Sequence, residues 1–143
     1  MSSATQDFYD FVTANPLGVV STYDAGRGPE AALVDFAAMR DGSLLFGSKS
    51  DARKMANIAA DARVAVVIGC CGTVTYQVEG TAEVLDGDER DQVGAEFARR
   101  FPGTKALLPG FSLLRVRAGW VRRWDSSTTP PTVTMVVPAP GEG

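Results

Sequence analysis

Polar and apolar residues alternate most regularly near the middle of the chain. Every second position from Val74 to Val84 holds an apolar residue, a tyrosine or a glycine, and the positions between them, such as Gln77, are polar. A period of two places the two sets on opposite faces of an extended strand. Gly80, within this run, predicts a sharp bend or a bulge. We therefore expect a long, bent β-strand over residues 73–85.

Shorter apolar and β-branched runs predict the other strands. Turn residues at 24–28 and 40–43 separate the first three runs, so these are expected to pair as an antiparallel meander. The run from Arg63 to Gly69 is apolar on both faces, which predicts a central strand covered on both sides. The predicted strands cover residues 17–23, 30–39, 44–48, 63–69, 111–118, 120–125 and 133–137.

Three stretches with helical spacing of apolar residues predict helices. Asn15-Pro16 ends the first of them. Ser50 or Asp51 is expected to cap the second. Asp86, with Glu89 three residues later, fits a capping box at the start of the third. The helices are expected at residues 5–14, 51–60 and 86–101.

The order of these elements predicts a mainly β protein. Strands follow one another with only occasional helices, a pattern typical of a small antiparallel barrel. Six or seven strands with two or three flanking helices are expected, in one domain formed by residues 1–125. Residues 126–143 are rich in Ser, Thr and Pro and are interpreted as a tail with one short edge strand.

Charge and hydropathy exclude several classes of function. The 143 residues carry a net charge of -3, which argues against a nucleic-acid partner. No apolar run approaches the ~20 residues of a membrane span, and no membrane association is expected. The N-terminal residues are polar and do not form a signal peptide. A cytoplasmic protein is therefore expected.

The chain contains no histidine, and its two cysteines, Cys70 and Cys71, are adjacent. Without histidine there is no Ser-His or Cys-His nucleophile pair, and no metal site is expected. Adjacent cysteines rarely bridge each other, so the pair indicates a reducing compartment. It is expected to be structural or incidental and not redox-active.

The start of the second helix gathers hydroxyls and cations. Ser48, Lys49, Arg53 and Lys54 lie around a helix N-terminus, where free N–H groups and the helix dipole already favour an anion. This arrangement predicts a site for a dianionic phosphate. The alternative interpretation is a capped surface helix whose charges are only solvated.

Two motifs in this order resemble one protein family. The segment from Leu44 to Ile58 reads Leu-Leu-Phe-Gly-Ser followed by Ala-Arg-Lys-Met-Ala-Asn-Ile, and the later strand contains Val78-Glu79-Gly80-Thr81-Ala82. Together with the hairpin before them, these motifs resemble the pyridoxamine-phosphate-oxidase-like, flavin-binding split barrels. The resemblance covers roughly residues 8–125. It implies a six- to seven-stranded antiparallel split β-barrel as the FMN-binding domain.

The resemblance also implies a site at the interface of a homodimer, with FMN in a groove. It places Arg53 and Lys54 on the phosphate, assisted by Lys49. The remaining implied contacts are Gly47 and Ser48 beside the flavin and its phosphate, Ala32, Leu33 and Val34 along the flavin ring, Thr75 and Gln77 from the second subunit, and Trp120 with Arg122 as late-strand contacts. For Trp120 the alternative is edge or interface packing.

Two departures separate the chain from the vitamin oxidases of this family. Those enzymes carry a C-terminal Arg-x-His, and this chain has no histidine. Phe36-Ala37-Ala38 stands where they place a lysine at the end of the second strand. The resemblance therefore implies a relative that keeps the cofactor site and lacks the site for the vitamin.

Three hypotheses for function follow. The first is an FMN-dependent oxidoreductase that acts on a small molecule, with the hydride chemistry supplied by the flavin. The second is a reductase that uses the deazaflavin F420, and the third is a non-enzymatic carrier or sensor of flavin or haem. Asp35, Tyr76 and Glu79 are candidate acid–base groups, and the sequence favours none of them.

Overall fold

The computed structural model describes residues 2–137 and shows the mainly β, antiparallel protein that was predicted. Within residues 2–137, eight strands form one curled sheet, and three helices accompany it. None of the helices within residues 2–137 is long and apolar enough to cross a membrane. In chain order the elements are α1 (Ser3–Ala14), β1 (Leu17–Asp24), β2 (Gly28–Asp35), β3 (Ala37–Ala38), β4 (Leu44–Lys49), α2 (Arg53–Ala60), β5 (Arg63–Ile68), β6 (Val74–Val84), α3 (Gly87–Arg100), β7 (Phe111–Asp125) and β8 (Thr132–Val137).

The sheet has the strand order β2-β1-β5-β6-β7-β4-β3, and β8 lies beside part of β7. The predicted hairpin is present, because β1 pairs with β2 along its whole length. The predicted meander is wrong, because β4 pairs with β7 and lies far from β2 in the sheet order. Turn residues show where a strand ends, but its place in the sheet depends on pairing with strands that are distant in sequence.

The strand predicted over residues 30–39 is divided at Phe36. This side chain is buried in the core, and its backbone N–H donates to the carbonyl of Pro16. Strand β2 ends before Phe36, and the short strand β3 begins after it at the opposite edge of the sheet. The buried ring thus marks the point where the chain leaves one end of the sheet for the other.

A bulge connects the two longest strands, β6 and β7, as Gly80 predicted. The register shifts by one residue after Glu79, which leaves Gly119 as the extra residue on β7. The two strands predicted on either side of Gly119 are therefore one continuous strand. Position 80 has no room for a side chain, because a Cβ atom there would overlap the carbonyl oxygen of Arg117.

The main core lies on the inner face of the curled sheet. Helix α1 covers it with Phe8, whose ring lies 5.0 Å from that of Tyr76 on β6. A second, smaller core lies under α3, around Phe97 and Leu113. Val93, Phe97 and Phe101, which recur at helical spacing, point from α3 into this core.

Strand β5 is covered on one face only, contrary to the prediction of a strand buried on both. Val64, Val66 and Ile68 are buried, whereas Ala65 and Val67 are exposed. Both faces of β5 carry apolar residues, but the described part of this chain packs against only one of these faces. We call the other side the outer face of the sheet.

Helix α3 begins after Asp86, as predicted, but without the expected capping box. The Asp86 side chain makes no capping hydrogen bond. The carboxylate of Glu89 accepts instead from Nη1 of Arg115, over 2.9 Å. Arg115, on β7, is buried and only 7% exposed. Leaving a buried charge without a partner costs more free energy than leaving an exposed helix end uncapped, so Glu89 pairs with Arg115.

The region interpreted as a tail adds a strand to the sheet. Residues 132–137 form β8, which pairs with the second half of β7. The last six residues, 138–143, lie outside the described residues.

The bulge yields a prediction about stability. We expect Gly80→Ala to lower the free energy of unfolding by about 3 kcal/mol, because the added methyl group meets backbone atoms that cannot rotate away. Gly72→Ala is the matched control, since a Cβ at position 72 meets nothing within 4 Å. Urea unfolding of the parent and both variants measures the difference. Equal midpoints for the two variants would contradict the assigned role of the bulge.

Candidate functional site

Two pockets that share Lys54 lie around the start of α2. The larger pocket has a volume of about 320 Å³ and lies between β2, β4 and the loop before β7. The smaller pocket has a volume of about 180 Å³ and lies between β1, β2 and α2. Eight of the residues singled out from the sequence line one or both of them: Ala32, Leu33, Val34, Gly47, Ser48, Lys49, Arg53 and Lys54.

The N-terminus of α2 is open toward an anion. The N-cap residue is Ala52, in an extended conformation and without a side-chain hydrogen bond. The prediction that Ser50 or Asp51 caps this helix is therefore wrong. The Ser50 hydroxyl instead bonds to that of Ser112 at 2.8 Å, and Asp51 lies 3.8 Å from Lys49. The Met55 N–H donates to the carbonyl of Ala52 at 3.0 Å, whereas the N–H groups of Arg53 and Lys54 receive no side-chain cap and remain available to a ligand.

Arg53 belongs to a group of four residues that we call the Glu30 cluster: Arg27, Glu30, Arg53 and Asn57. The Glu30 carboxylate accepts from Arg53 at 2.8 Å, from Arg27 at 3.0 and 3.1 Å, and from Asn57 at 2.9 Å. These bonds lower the pKa of Glu30 to about 2, with the bond from Arg27 contributing most. Glu30 therefore carries a full negative charge beside the smaller pocket at neutral pH.

Lys54 is the cation that both pockets share. Its side chain is half-buried, and it forms no ion pair within residues 2–137. Burial lowers its pKa, since desolvation disfavours the charged form. A partly desolvated ammonium group without a carboxylate partner gains most from an anionic ligand, and Lys54 is placed to bind one from either pocket.

Strand β4 and a loop form the other wall of the larger pocket. Ser48 is buried, and its hydroxyl donates to the carbonyl of Lys49 at 2.9 Å, so its lone pairs remain free to accept. At Gly47, a Cβ atom would lie 2.6 Å from the Cβ of Ala106. Packing of the loop against β4 is thus a reason for glycine at position 47 that the sequence did not reveal.

The loop of residues 101–110 contributes pocket residues that the sequence reasoning missed. Thr104 and Lys105 line the larger pocket, which adds a hydroxyl and a cation to its wall. In the sequence, Pro102-Gly103 and Pro109-Gly110 indicate only where a helix ends and a strand begins. The positive charge of Lys105, between these two turn motifs, is the sequence feature that could have marked the loop as part of an anion site.

The backbone of strand β2 borders both pockets. Strand β2 is an edge strand of the sheet, so among the described residues the backbone groups that point away from β1 have no strand partner. Leu33 is 68% exposed beside the larger pocket, and Ala32 lines the smaller one. An edge of this kind suits a planar, polar ring that hydrogen-bonds to main-chain groups.

Thr75, Gln77 and Trp120 lie apart from the other eight residues. All three are on the outer face of the sheet, and none of them lines the larger or the smaller pocket. Trp120 borders a different cavity of about 540 Å³ on that face. The guanidinium of Arg122 lies 5.8 Å from the centre of the Trp120 ring and 5.9 Å from that of Trp124. Within one chain, the structure does not bring these residues to the pockets.

Comparison with known sequences identifies one family. The family model described as pyridoxamine 5'-phosphate oxidase matches residues 4–125. A search of curated proteins by sequence gives no significant match.

Several solved structures share the fold. The protein Atu2129 of Agrobacterium tumefaciens, of unknown function, superposes with a TM-score of 0.75 at 23% identity, covering 86% of this chain and 57% of its own. A pyridoxamine 5'-phosphate oxidase-related, FMN-binding protein of Nostoc punctiforme gives 0.71 at 12% identity, with 96% and 99% covered. A haem-binding protein of Mycobacterium smegmatis gives 0.69 at 18% identity, with 97% and 62% covered. At these identities the likeness shows the fold alone, and this chain spans about three fifths of the first and third proteins.

The Glu30 cluster yields a prediction about pH. Because the pKa of Glu30 is lowered to about 2, its contribution to stability is present above the ordinary carboxylate range and is lost as the pH falls toward 2. We expect the parent to be more stable than Glu30→Gln near neutral pH, and the difference in free energy of unfolding to shrink on acidification. Urea unfolding at several pH values measures it. A difference that stays constant down to pH 2 would contradict the prediction.

Proposed function

The chain belongs to the pyridoxamine 5'-phosphate oxidase family, and we propose that it binds FMN with the phosphate at the start of α2 and acts as an oxidoreductase on a small molecule. The observation that carries this proposal is Lys54, a half-buried cation without an ion-pair partner in the described chain, beside the uncapped end of α2. Arg53 lies next to it and lines the smaller pocket.

The residues of the pockets suit the parts of FMN. A phosphate is an anion, and the start of α2 supplies cations and N–H groups for it. The flavin ring is planar and carries donors and acceptors along its edge, and the free edge of β2 supplies main-chain partners. Ser48 and Thr104 add hydroxyls on the opposite wall. The larger pocket, at about 320 Å³, falls within the size range of small-molecule sites, and the smaller pocket of about 180 Å³ shares Lys54 with it.

Bound FMN would supply hydride and electron transfer, and the protein would supply binding and orientation. Of the acid–base candidates, Asp35 lines the larger pocket. Tyr76 is buried in the core between Phe8 and Phe11, with 1% of its surface exposed, and cannot reach a substrate. Glu79 lies on the outer face. Within one subunit, Asp35 is therefore the one of the three that lies beside the proposed cofactor site and could hold or move a proton there.

Two alternatives use the same fold. F420 also carries a phosphate, so the cations of α2 suit either cofactor. Haem binding is suggested by the Mycobacterium smegmatis protein, but this chain has no histidine, and its cysteines lie on the loop between β5 and β6, away from both pockets. The absorption spectrum of the purified protein separates the three, because flavin, deazaflavin and haem have different visible bands.

We also propose that the outer face is the interface of a homodimer. Cross-strand partners share a face, and eight large apolar side chains that are 38–68% exposed lie on it across five strands. Exposed apolar side chains concentrated on one face of a sheet mark interaction sites, and the polar Thr75, Gln77 and Glu79 of β6 lie between those of β5 and those of β7. The eight apolar side chains are Leu17, Val19, Tyr23, Leu33, Val67, Trp124, Val133 and Met135.

A partner on this face would also explain the residues that lie apart. Gln77 and Trp120 are on the outer face, and Leu33 connects that face to the larger pocket through strand β2. In a dimer, residues of one subunit's outer face would then lie near the pockets of the other. This arrangement supports the second-subunit roles that the family resemblance implies for Thr75 and Gln77.

The phosphate site is tested by the double variant Arg53→Ala/Lys54→Ala. Charge-assisted hydrogen bonds contribute about 1.5–3 kcal/mol each, so FMN should bind the variant roughly two to four orders of magnitude more weakly. Riboflavin, which lacks the phosphate, should bind both proteins almost equally. Titration of apo-protein with each flavin, followed by flavin fluorescence, measures the two affinities.

The matched control is Arg90→Ala/Arg99→Ala, which removes the same charge from α3, where neither side chain lines a described pocket. It should keep the parental affinity for FMN. If the double variant at α2 binds FMN as the parent does, or loses riboflavin equally, the charges of α2 are only solvated and the phosphate site is wrong.

The interface is tested by Val67→Glu. Val67 is 43% exposed at the centre of the outer face, so the fold should tolerate the change, whereas a buried charge in a dimer interface should break the dimer. Sedimentation should show a dimer for the parent and a monomer for the variant at micromolar concentration. Ala14→Glu, an exposed position on α1, which covers the inner face of the sheet, should remain dimeric. A monomeric parent would refute the proposed dimer.

A further inference from the structure

The Glu30 cluster joins three parts of the chain beside the smaller pocket. Glu30 lies on β2, Arg27 in the turn before it, and Arg53 and Asn57 on α2. Glu30 accepts hydrogen bonds from all three, over distances between 2.8 and 3.1 Å. A carboxylate has about four acceptor positions, and these donors of its own chain occupy them. Glu30 therefore has no acceptor position left for a donor group of a ligand.

Glu30 itself is held firmly in place. Its side chain is only 17% exposed, and Arg27 donates to both of its oxygens. On the inner side, the amide of Asn57 donates both to Glu30 and to the hydroxyl of Thr22, and Asn57 and Thr22 are buried. A carboxylate fixed by this network can impose its own position on a more mobile partner.

Arg53 is the exposed partner. Its side chain is 71% exposed, and its one side-chain hydrogen bond within the described residues runs from Nη1 to Glu30. That bond uses one of the five N–H groups of the guanidinium, so four remain for a ligand. Without Glu30, an exposed arginine samples many rotamers, and ordering it when a ligand binds costs conformational entropy.

The charge of Glu30 does not cancel this benefit. A carboxylate in the lining of an anion pocket repels a phosphate, but Arg27 balances that charge through its two bonds to the same group. Arg53 and Lys54 then leave the lining of the smaller pocket with a net positive charge. Glu30 can thus orient an arginine without making the pocket unfavourable for anions.

We propose that Glu30 is a positioning residue that holds Arg53 beside the smaller pocket before a ligand arrives, so that a phosphate meets a guanidinium already in place. This inference rests on the proposed phosphate site at α2. Glu30 acts through Arg53 and does not touch the ligand. Its effect is therefore confined to ligands that carry the phosphate, and it disappears when Arg53 is removed.

The test compares Glu30→Ala with Glu30→Gln by titration of apo-protein with FMN and with riboflavin. Glu30→Ala should bind FMN about tenfold more weakly, the effect expected from releasing one long side chain, and riboflavin as the parent does. Glu30→Gln keeps an oxygen that can accept from Arg53, so it should retain FMN affinity within about threefold of the parent. Thermal unfolding of each variant verifies that the protein is folded.

A double-mutant cycle assigns the effect to Arg53. Glu30→Ala/Arg53→Ala should bind FMN no more weakly than Arg53→Ala alone. Glu83→Ala serves as the control, since Glu83 also pairs with arginines but lies on β6 away from both pockets. It should leave both flavin affinities unchanged.

Three results would overturn the positioning role of Glu30. If Glu30→Ala binds FMN as tightly as the parent or more tightly, the proposal is overturned and Glu30 competes with the ligand for Arg53. If riboflavin affinity falls with that of FMN, Glu30 supports the fold only, and the proposal also fails. If Arg53→Ala by itself leaves FMN affinity unchanged while Lys54→Ala does too, the phosphate site is wrong and the positioning role falls with it.

Discussion

The long pairing of β6 with β7 is the interaction on which the rest of the structure depends. It joins the part of the sheet that contains β1, β2 and β5 to the part that contains β3 and β4. The bulge after Glu79 increases the local twist of this pair, and the sheet curls. As a result, β2 and β4 face each other across the larger pocket although they lie far apart in the strand order. The candidate site thus lies where the curled sheet nearly closes.

The elements of the fold could be predicted from short patterns, but their arrangement could not. Alternation in β6 and the glycine at position 80 gave the long strand and its bulge, because both signals are local. The neighbour of β4 depends on contacts with β7, more than sixty residues later, which no turn motif encodes. The exposed face of β5 was also missed, since apolar residues on both faces do not show whether the same chain covers both of them.

The candidate site divides in the same way. Arg53 and Lys54 could be recognised because a helix start with basic residues is a local feature. Glu30 was missed because its role comes from contacts with Arg27, Arg53 and Asn57 across the hairpin and α2, and a lone glutamate on a predicted strand carries no such signal. Gly47 was chosen for contact with a cofactor, yet the structure also shows its need for close packing against Ala106.

The position of β2 at the edge of the sheet has a consequence for local dynamics. In the described part of the chain this strand pairs with β1 alone, and its other connection is the set of hydrogen bonds from α2 to Glu30. Amide protons on its free side therefore depend on fewer interactions than those of β5 or β6, and this edge is expected to open before the rest of the sheet. A ligand bound along the edge would take the place of a missing neighbouring strand, so that hydrogen exchange along β2 reports occupancy directly.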